Sequence, residues 1–192
     1  EGLESDLNTA LDGLVFTPGA NYTGGDTLNI ATAFAAGLAG QYTFDVDVID
    51  DSEGVTHDGT LNGNAAIVAD GARGNVLGLD GTGDYVEIPG MFDEPSDVTL
   101  AAWVNFSSSA SQAGEVISIG NMVSLRVNDV THGVVGFFYD GSAFQFVGTG
   151  TGTDLADDQW HHVAFSFDDV NNTQNLYIDG QLVASAAITE SI

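Results

Sequence analysis

The chain has no cysteine, no lysine, two arginines (Arg73 and Arg126) and only three prolines in 192 residues. Without cysteine there can be no disulfide and no thiolate metal site. Against the two bases stand 28 acids, a formal net charge of −26. Such a surface repels phosphate, which argues against nucleic acid as a partner, and it offers nothing to anionic lipid. No apolar run approaches the roughly 20 residues that span a bilayer, so membrane insertion is not expected. The first residues carry neither the basic region nor the apolar stretch of a signal peptide. Catalytic motifs are equally scarce. There is no Gly-x-Ser-x-Gly and no His-Glu-x-x-His, and "GTGTGTD" (148–154) lacks the Lys-Ser/Thr of a phosphate cradle.

What the chain does have is hydrophobic alternation, glycine and aspartate. Hydrophobic residues make up 43%, glycine contributes 25 residues, and six Asp-Gly pairs punctuate the sequence. "DVTLAAWVNF" (97–106) puts Val98, Leu100, Ala102, Val104 and Phe106 on one face and Thr99, Ala101, Trp103 and Asn105 on the other. Short runs of the same kind occur in "YTFDVDVI", "DYVEI", "EVISIG", "MVSLRV", "VVGFFY", "AFQFV", "HVAFSF", "NLYI" and "QLVAS". Asp179-Gly180 between the last two predicts a two-residue hairpin. Many short strands and almost no helical period predict an all-β protein, a two-sheet antiparallel sandwich or barrel. Only "ESDLNTALDGL" (4–14) has a helical stripe, and 10–33 reads as strand-turn-strand. "AAGLAGQ" (35–41) reads as a linker, which divides the chain into residues 1–41 and 42–192.

The abundance of hard oxygen donors without soft ones predicts a Ca²⁺ site. Asp45 and Asp47 alternate along the expected strand "YTFDVDVI", roughly 7 Å apart, a spacing compatible with glycoside hydrolysis. Acid runs of this kind more often bind calcium or face solvent, so the chain is not expected to be an enzyme. In "DDQWHHVAFSFDD" (157–169), strand alternation sends the two histidines to opposite faces, so they cannot share one ion. His161 joins Val163, Phe165 and Phe167 as a core-edge histidine. His162 joins Trp160 on the other face, where Trp103, Asn105 and Tyr177 also fall. Aromatic faces beside amides suit the C–H faces and hydroxyls of a sugar; the same residues would equally suit a second buried layer. Tyr139 and Asp140, at a hairpin end, form a separate rim candidate.

"DDQWHHVAFSFDD" followed by "NLYIDGQLVAS" resembles the signature of laminin G-like, concanavalin A-like jelly-roll modules. "DSEGVTHDGTLNG" (51–63), "LGLDGTGDYVEIP" (77–89) and "VTLAAWVNF" are similar to further motifs of that family, in the family's order over about 42–192. The resemblance implies two curved antiparallel sheets with ligands on a sheet face or loop rim, and calcium at the rim. It implies Asn121, Asp51 and Asp80 as candidate calcium ligands. The family continues past the Asp-Gly hairpin, whereas this chain ends at "AAITESI". The sandwich is therefore expected to lack its final strands, with self-association through the edges they leave. "LDGLVFTPGANYTGGDTLNI" is similar to part of a cadherin-like repeat of bacterial adhesins. Together these imply a non-catalytic, extracellular or bacterial cell-surface module that binds a glycan or another cell-surface ligand with calcium. An adhesive spacer or protein-interaction module is the second expectation, and a glycoside hydrolase a distant third.

Overall fold

The structure, a computed structural model, describes residues 37–52, 57–91, 97–108, 114–120, 122–128, 131–150 and 153–188, all within one compact unit, Ala35–Ile192. The expected helical stripe at 4–14, the strand-turn-strand of 10–33 and Asn121 lie outside the described residues. Among the described residues there are only strands. They are β1 (Thr60–Asn62), β2 (Ala66–Asp70), β3 (Gly74–Gly78), β4 (Tyr85–Glu87), β5 (Asp97–Asn105) and β6 (Gly114–Ile119), then β7 (Val123–Val127), β8 (Val134–Tyr139), β9 (Phe144–Gly148), β10 (Trp160–Asp168), β11 (Thr173–Ile178) and β12 (Gln181–Ala187).

Two four-stranded antiparallel sheets, ordered β12-β11-β10-β5 and β6-β7-β8-β9, form the sandwich, with small ladders β1-β4 and β2-β3 beside them. The chain crosses from one sheet to the other after β5 and returns before β10. That return lets β5 and β10 pair along their full nine residues, Asp97 opposite Asp168 and Asn105 opposite Trp160. Alternation dictates what lies between the sheets. Leu100, Val163, Phe165, Phe167, Leu176 and Ile178 come from one inner face, and Val123, Leu125, Val134, Phe138 and Val147 from the other. Phe138 and Phe167 meet across the core at 4.5 Å between ring centroids. Each such side chain contributes roughly 1.5–3 kcal/mol by leaving water.

At Gly136 the core leaves β8 no room for a side chain. A Cβ on Gly136 would fall 2.6 Å from Cγ of Phe165 and closer still to Cδ2. The requirement at this position is space. At the β11–β12 hairpin the requirement is conformational instead, since Asp179 and Gly180 have φ of 49° and 77°. This is the two-residue turn expected from Asp-Gly.

Two expectations fail. "YTFDVDVI" is irregular, with Phe44 at φ 59°, so Asp45 and Asp47 do not share a strand face. The acids there turn the chain: Asp47 Oδ1 accepts the Ile49 N–H at 3.1 Å. "AAGLAGQ" does not remain a free linker at its end. Gln41 donates its N–H to Asp50 Oδ1 at 3.0 Å and accepts the Asp51 N–H at 2.7 Å.

Candidate glycan-binding face

The outer face of the β12-β11-β10-β5 sheet carries the side chains that alternation turns away from the core. Register places Trp160 beside Asn105, and His162 beside Trp103. The Trp103 and His162 rings meet edge-on at 5.3 Å. One step along the strands, Ala101 and Ala164 stand opposite each other, and Tyr177 flanks Ala164 from β11. The exposed Ala101 and the buried Ala164 separate the Trp103–His162 pair from a polar row of Thr99, Ser166 and Asn175. The five residues expected on this face, Trp103, Asn105, Trp160, His162 and Tyr177, are therefore brought together. Trp103 is half exposed, at 51%, while Trp160, His162 and Tyr177 are partly buried. Asn105 gives its side-chain amide to the Asp158 carbonyl at 3.4 Å.

The sequence reading missed one member of this face. The β2–β3 hairpin reaches over the sheet edge, and the Arg73 guanidinium lies 3.6 Å from the Trp103 ring centroid and 5.1 Å from that of Trp160. The hairpin tip is fixed by Asp70, whose Oδ1 accepts the N–H groups of Ala72 (2.9 Å) and Arg73 (2.8 Å). Asn75, one pair from the turn, ties the hairpin to the preceding loop by donating to the Asp45 carbonyl at 2.6 Å. "AIVAD" and "GNVLG" are rich in Ala, Gly and Asn, so β-propensity hid the hairpin. The available signal was scarcity: Arg73 is one of only two cations in the chain.

The other expected residues lie elsewhere. Tyr139 and Asp140 sit at the β8–β9 hairpin of the opposite sheet. There Asp140 Oδ1 accepts the N–H groups of Ser142 (2.8 Å) and Ala143 (2.7 Å), and Oδ2 accepts from Gln145 Nε2 at 2.6 Å. The Ala143 N–H, then Gln145 and Ser142, hold its carboxyl well below the usual range. Asp140 thus builds its own turn. Asp51 accepts from the N–H (3.0 Å) and hydroxyl (2.8 Å) of Thr43. Asp80 accepts from Thr82 N–H at 2.8 Å and from Asn64 Nδ2 at 3.3 Å. Asp45, Asp47 and Asp51 line a depression of about 440 Å³. Among the described residues no three His, Asp or Glu side chains gather so as to hold a metal ion. Asp80 holds its own turn, while Asp51 ties its loop to Thr43, eight residues back.

His161 behaves as a core-edge residue with both ring nitrogens engaged. Nδ1 lies 2.8 Å from Asp179 Oδ2 and Nε2 lies 3.3 Å from Asp157 Oδ1. Asp179 also accepts the His162 N–H at 2.9 Å, so the carboxylate locks the hairpin turn to the start of β10. The Asp179 hydrogen bond, opposed by burial and aided by Asp157, raises the His161 pKa. In return His161, then the His162 N–H, lowers that of Asp179. A raised histidine stabilises below its unfolded value, near 6.5, and that stability is lost as pH rises through the folded value. The wild-type minus His161→Gln difference in melting stability should therefore be roughly 1 kcal/mol at pH 5–6 and shrink at alkaline pH. A difference flat from pH 5 to 9 would show that folding leaves the His161 pKa unchanged.

The opposite sheet also bears aromatic rings on its outer face. Phe144 and Phe146 of β9 are 47% and 59% exposed, and Phe137 contacts both at 5.4 and 5.5 Å between centroids. Beside them Arg126 lies 3.6 Å from Glu115.

A family model matches residues 80–192, a stretch that contains both four-stranded sheets and the aromatic face. The chain belongs to the concanavalin A-like lectin/glucanases superfamily. Arg73 and its hairpin fall before the matched stretch of this superfamily member. A search of the curated proteins gives no match. Among solved structures, domain 4 of AbnA, a GH43 extracellular arabinanase from Geobacillus stearothermophilus, in complex with arabinotriose, is similar with a TM-score of 0.56 and 18% identity. The match covers 81% of this chain and 78% of that one. Mouse laminin alpha1 chain, domains LG4-5, matches at 15% identity and a TM-score of 0.41, over 53% of this chain; the superfamily member spans 27% of that laminin chain. None of these comparisons supports a cadherin-like repeat in the N-terminal segment.

Proposed function

We propose that this chain is a non-catalytic glycan-binding module acting outside the cell, at a bacterial surface, with the outer face around Trp103 as its ligand site. The observation that carries this is the gathering of Trp103, Trp160, His162 and Tyr177 on one sheet face, with Trp103 half exposed. Indole and phenol faces take sugar C–H surfaces, and the neighbouring Thr99, Ser166 and Asn175 supply hydroxyl partners. A domain of like fold has been solved in complex with arabinotriose, which supports a sugar as ligand class. Glycan arrays probed with wild type and Trp103→Ala test the assignment. Loss of one stacking ring is expected to weaken hits by tenfold or more, with the melting temperature as a control for folding. Hits that survive the substitution unchanged would place the ligand elsewhere. Calcium enters as an assisting ion only, to be checked by chelation. A melting temperature and array pattern unchanged in EDTA would remove it.

A second function, protein interaction or self-association, is favoured by the exposed Phe144 and Phe146 on β9, which ends its sheet among the described residues. An aromatic strip on an edge strand invites pairing. Concentration-dependent mass in sedimentation, abolished by Phe146→Ser, would support it. A monomer at all concentrations would leave only heterologous partners.

A further inference from the structure

We infer that the ligand of this face is an acidic glycan, one whose sugar rings carry carboxylates, and that Arg73 is the residue that selects it; this rests on the glycan-binding assignment of the same face. With 28 acids and two bases, an arginine on this surface would be expected to sit against a carboxylate. Arg126 does so, 3.6 Å from Glu115. Arg73 does not: among the described residues its guanidinium has no carboxylate partner and rests on Trp103 and Trp160 instead. Stacking engages the flat face of a guanidinium and leaves its N–H groups, which lie in the plane, pointing outward. Those donors form the fork that matches a carboxylate through two parallel hydrogen bonds.

The cation is also held in place before any ligand arrives. Asp70 fixes the hairpin tip through two backbone N–H groups, and Asn75, one pair from the turn, ties it to the Asp45 carbonyl. Little side-chain ordering therefore remains to be spent on binding. A uronate ring could lay its C–H face over the exposed Ala101 beside Trp103, with its carboxylate toward Arg73. A neutral sugar would offer that guanidinium only hydroxyls, which form weaker hydrogen bonds than a charged acceptor. The global charge of −26 opposes polyanions at long range, but at 0.15 M salt that field decays over about 8 Å. Contact at Arg73 is within that distance; the bulk of the acids is screened.

The test uses uronate trisaccharides and their methyl esters, which share a backbone and differ only in charge, titrated against the full chain in 0.15 M salt. Wild type is expected to bind at least one uronate about tenfold more tightly than its ester. Arg73→Gln should erase that preference, bringing acid and ester to the same affinity. Arg73→Lys, which keeps charge but not the fork, should retain only part of it. Melting temperatures within a few degrees of wild type confirm that each variant folds. Equal binding of acid and ester, or binding only to neutral arabino- or gluco-oligosaccharides, overturns the acidic-ligand inference while leaving glycan binding standing. A preference that persists in Arg73→Gln overturns the role of Arg73. No binding to any acidic or neutral oligosaccharide overturns both.

Discussion

Gly136→Ala is expected to destabilise the sandwich by about 3 kcal/mol or more, at the upper end of what overpacking a core costs. The added methyl would stand 2.6 Å from Phe165 Cγ. The ring cannot swing away, because Phe165 is fully buried and its cross-strand neighbours on β5 and β10's other side are Leu100 and Leu176. Relief would require the sheets to separate, exposing apolar surface along the whole core. Since domains of this size are stable by only about 5–15 kcal/mol, a large share of the fold's margin is at stake. Urea denaturation measures the effect, as a lower midpoint. Adding Phe165→Leu should recover part of the loss, because a smaller side chain vacates the space the methyl needs. A single alanine variant as stable as wild type would mean that the sheets can shift apart at little cost.

Asp50→Ala should be comparably damaging, by about 3 kcal/mol, although Asp50 touches no ligand residue. The sequence singled out Asp51, yet its neighbour organises the loop. Asp50 is 3% exposed. Its Oδ1 accepts the N–H groups of Gln41 (3.0 Å) and Ser52 (2.9 Å), and Oδ2 accepts that of His57 at 3.0 Å. Removing the carboxylate leaves those donors without their acceptor in a buried place. Burial alone would push the carboxyl pKa up, but the hydrogen bonds from Ser52, Gln41 and His57 outweigh it and hold the group below the usual range. The stabilisation is therefore present above the unfolded value near 3.9 and is lost as pH falls through the lower folded value. The wild-type advantage over Asp50→Ala should be full at neutral pH and shrink in strong acid. Asp50→Asn, which keeps one acceptor oxygen, should fall between the two.

Much of this molecule is legible without coordinates, because strand alternation is a local rule. From Val98–Leu100 and Phe165–Phe167 against Trp103, Trp160 and His162, period two alone assigns which side chains face the core and which face out. The same rule separates His161 from His162 and disposes of a shared metal. Asp179-Gly180 fixes its hairpin because those two residues tolerate the positive φ that the turn imposes. Where acids cluster, local pattern misleads. The alternation of Asp45 and Asp47 looked like a strand, but the Asp47 side chain serves a turn and the Asp45 carbonyl holds Asn75 of β3, and turn aspartates carry no periodic signal that separates them from catalytic or metal-binding ones.

What the sequence by itself determined is therefore the face on which each strand residue stands. Only the tertiary structure decided which strands are neighbours and what reaches over them. β5 meets β10 more than 50 residues away in the chain, and that pairing alone sets Trp103 against His162. Arg73 arrives from a hairpin of weak propensity, and no local pattern connects it to two tryptophans 30 and 87 positions further on. The reason is physical: backbone preference acts between adjacent residues, whereas a guanidinium laid on an indole is a contact between segments distant in the chain.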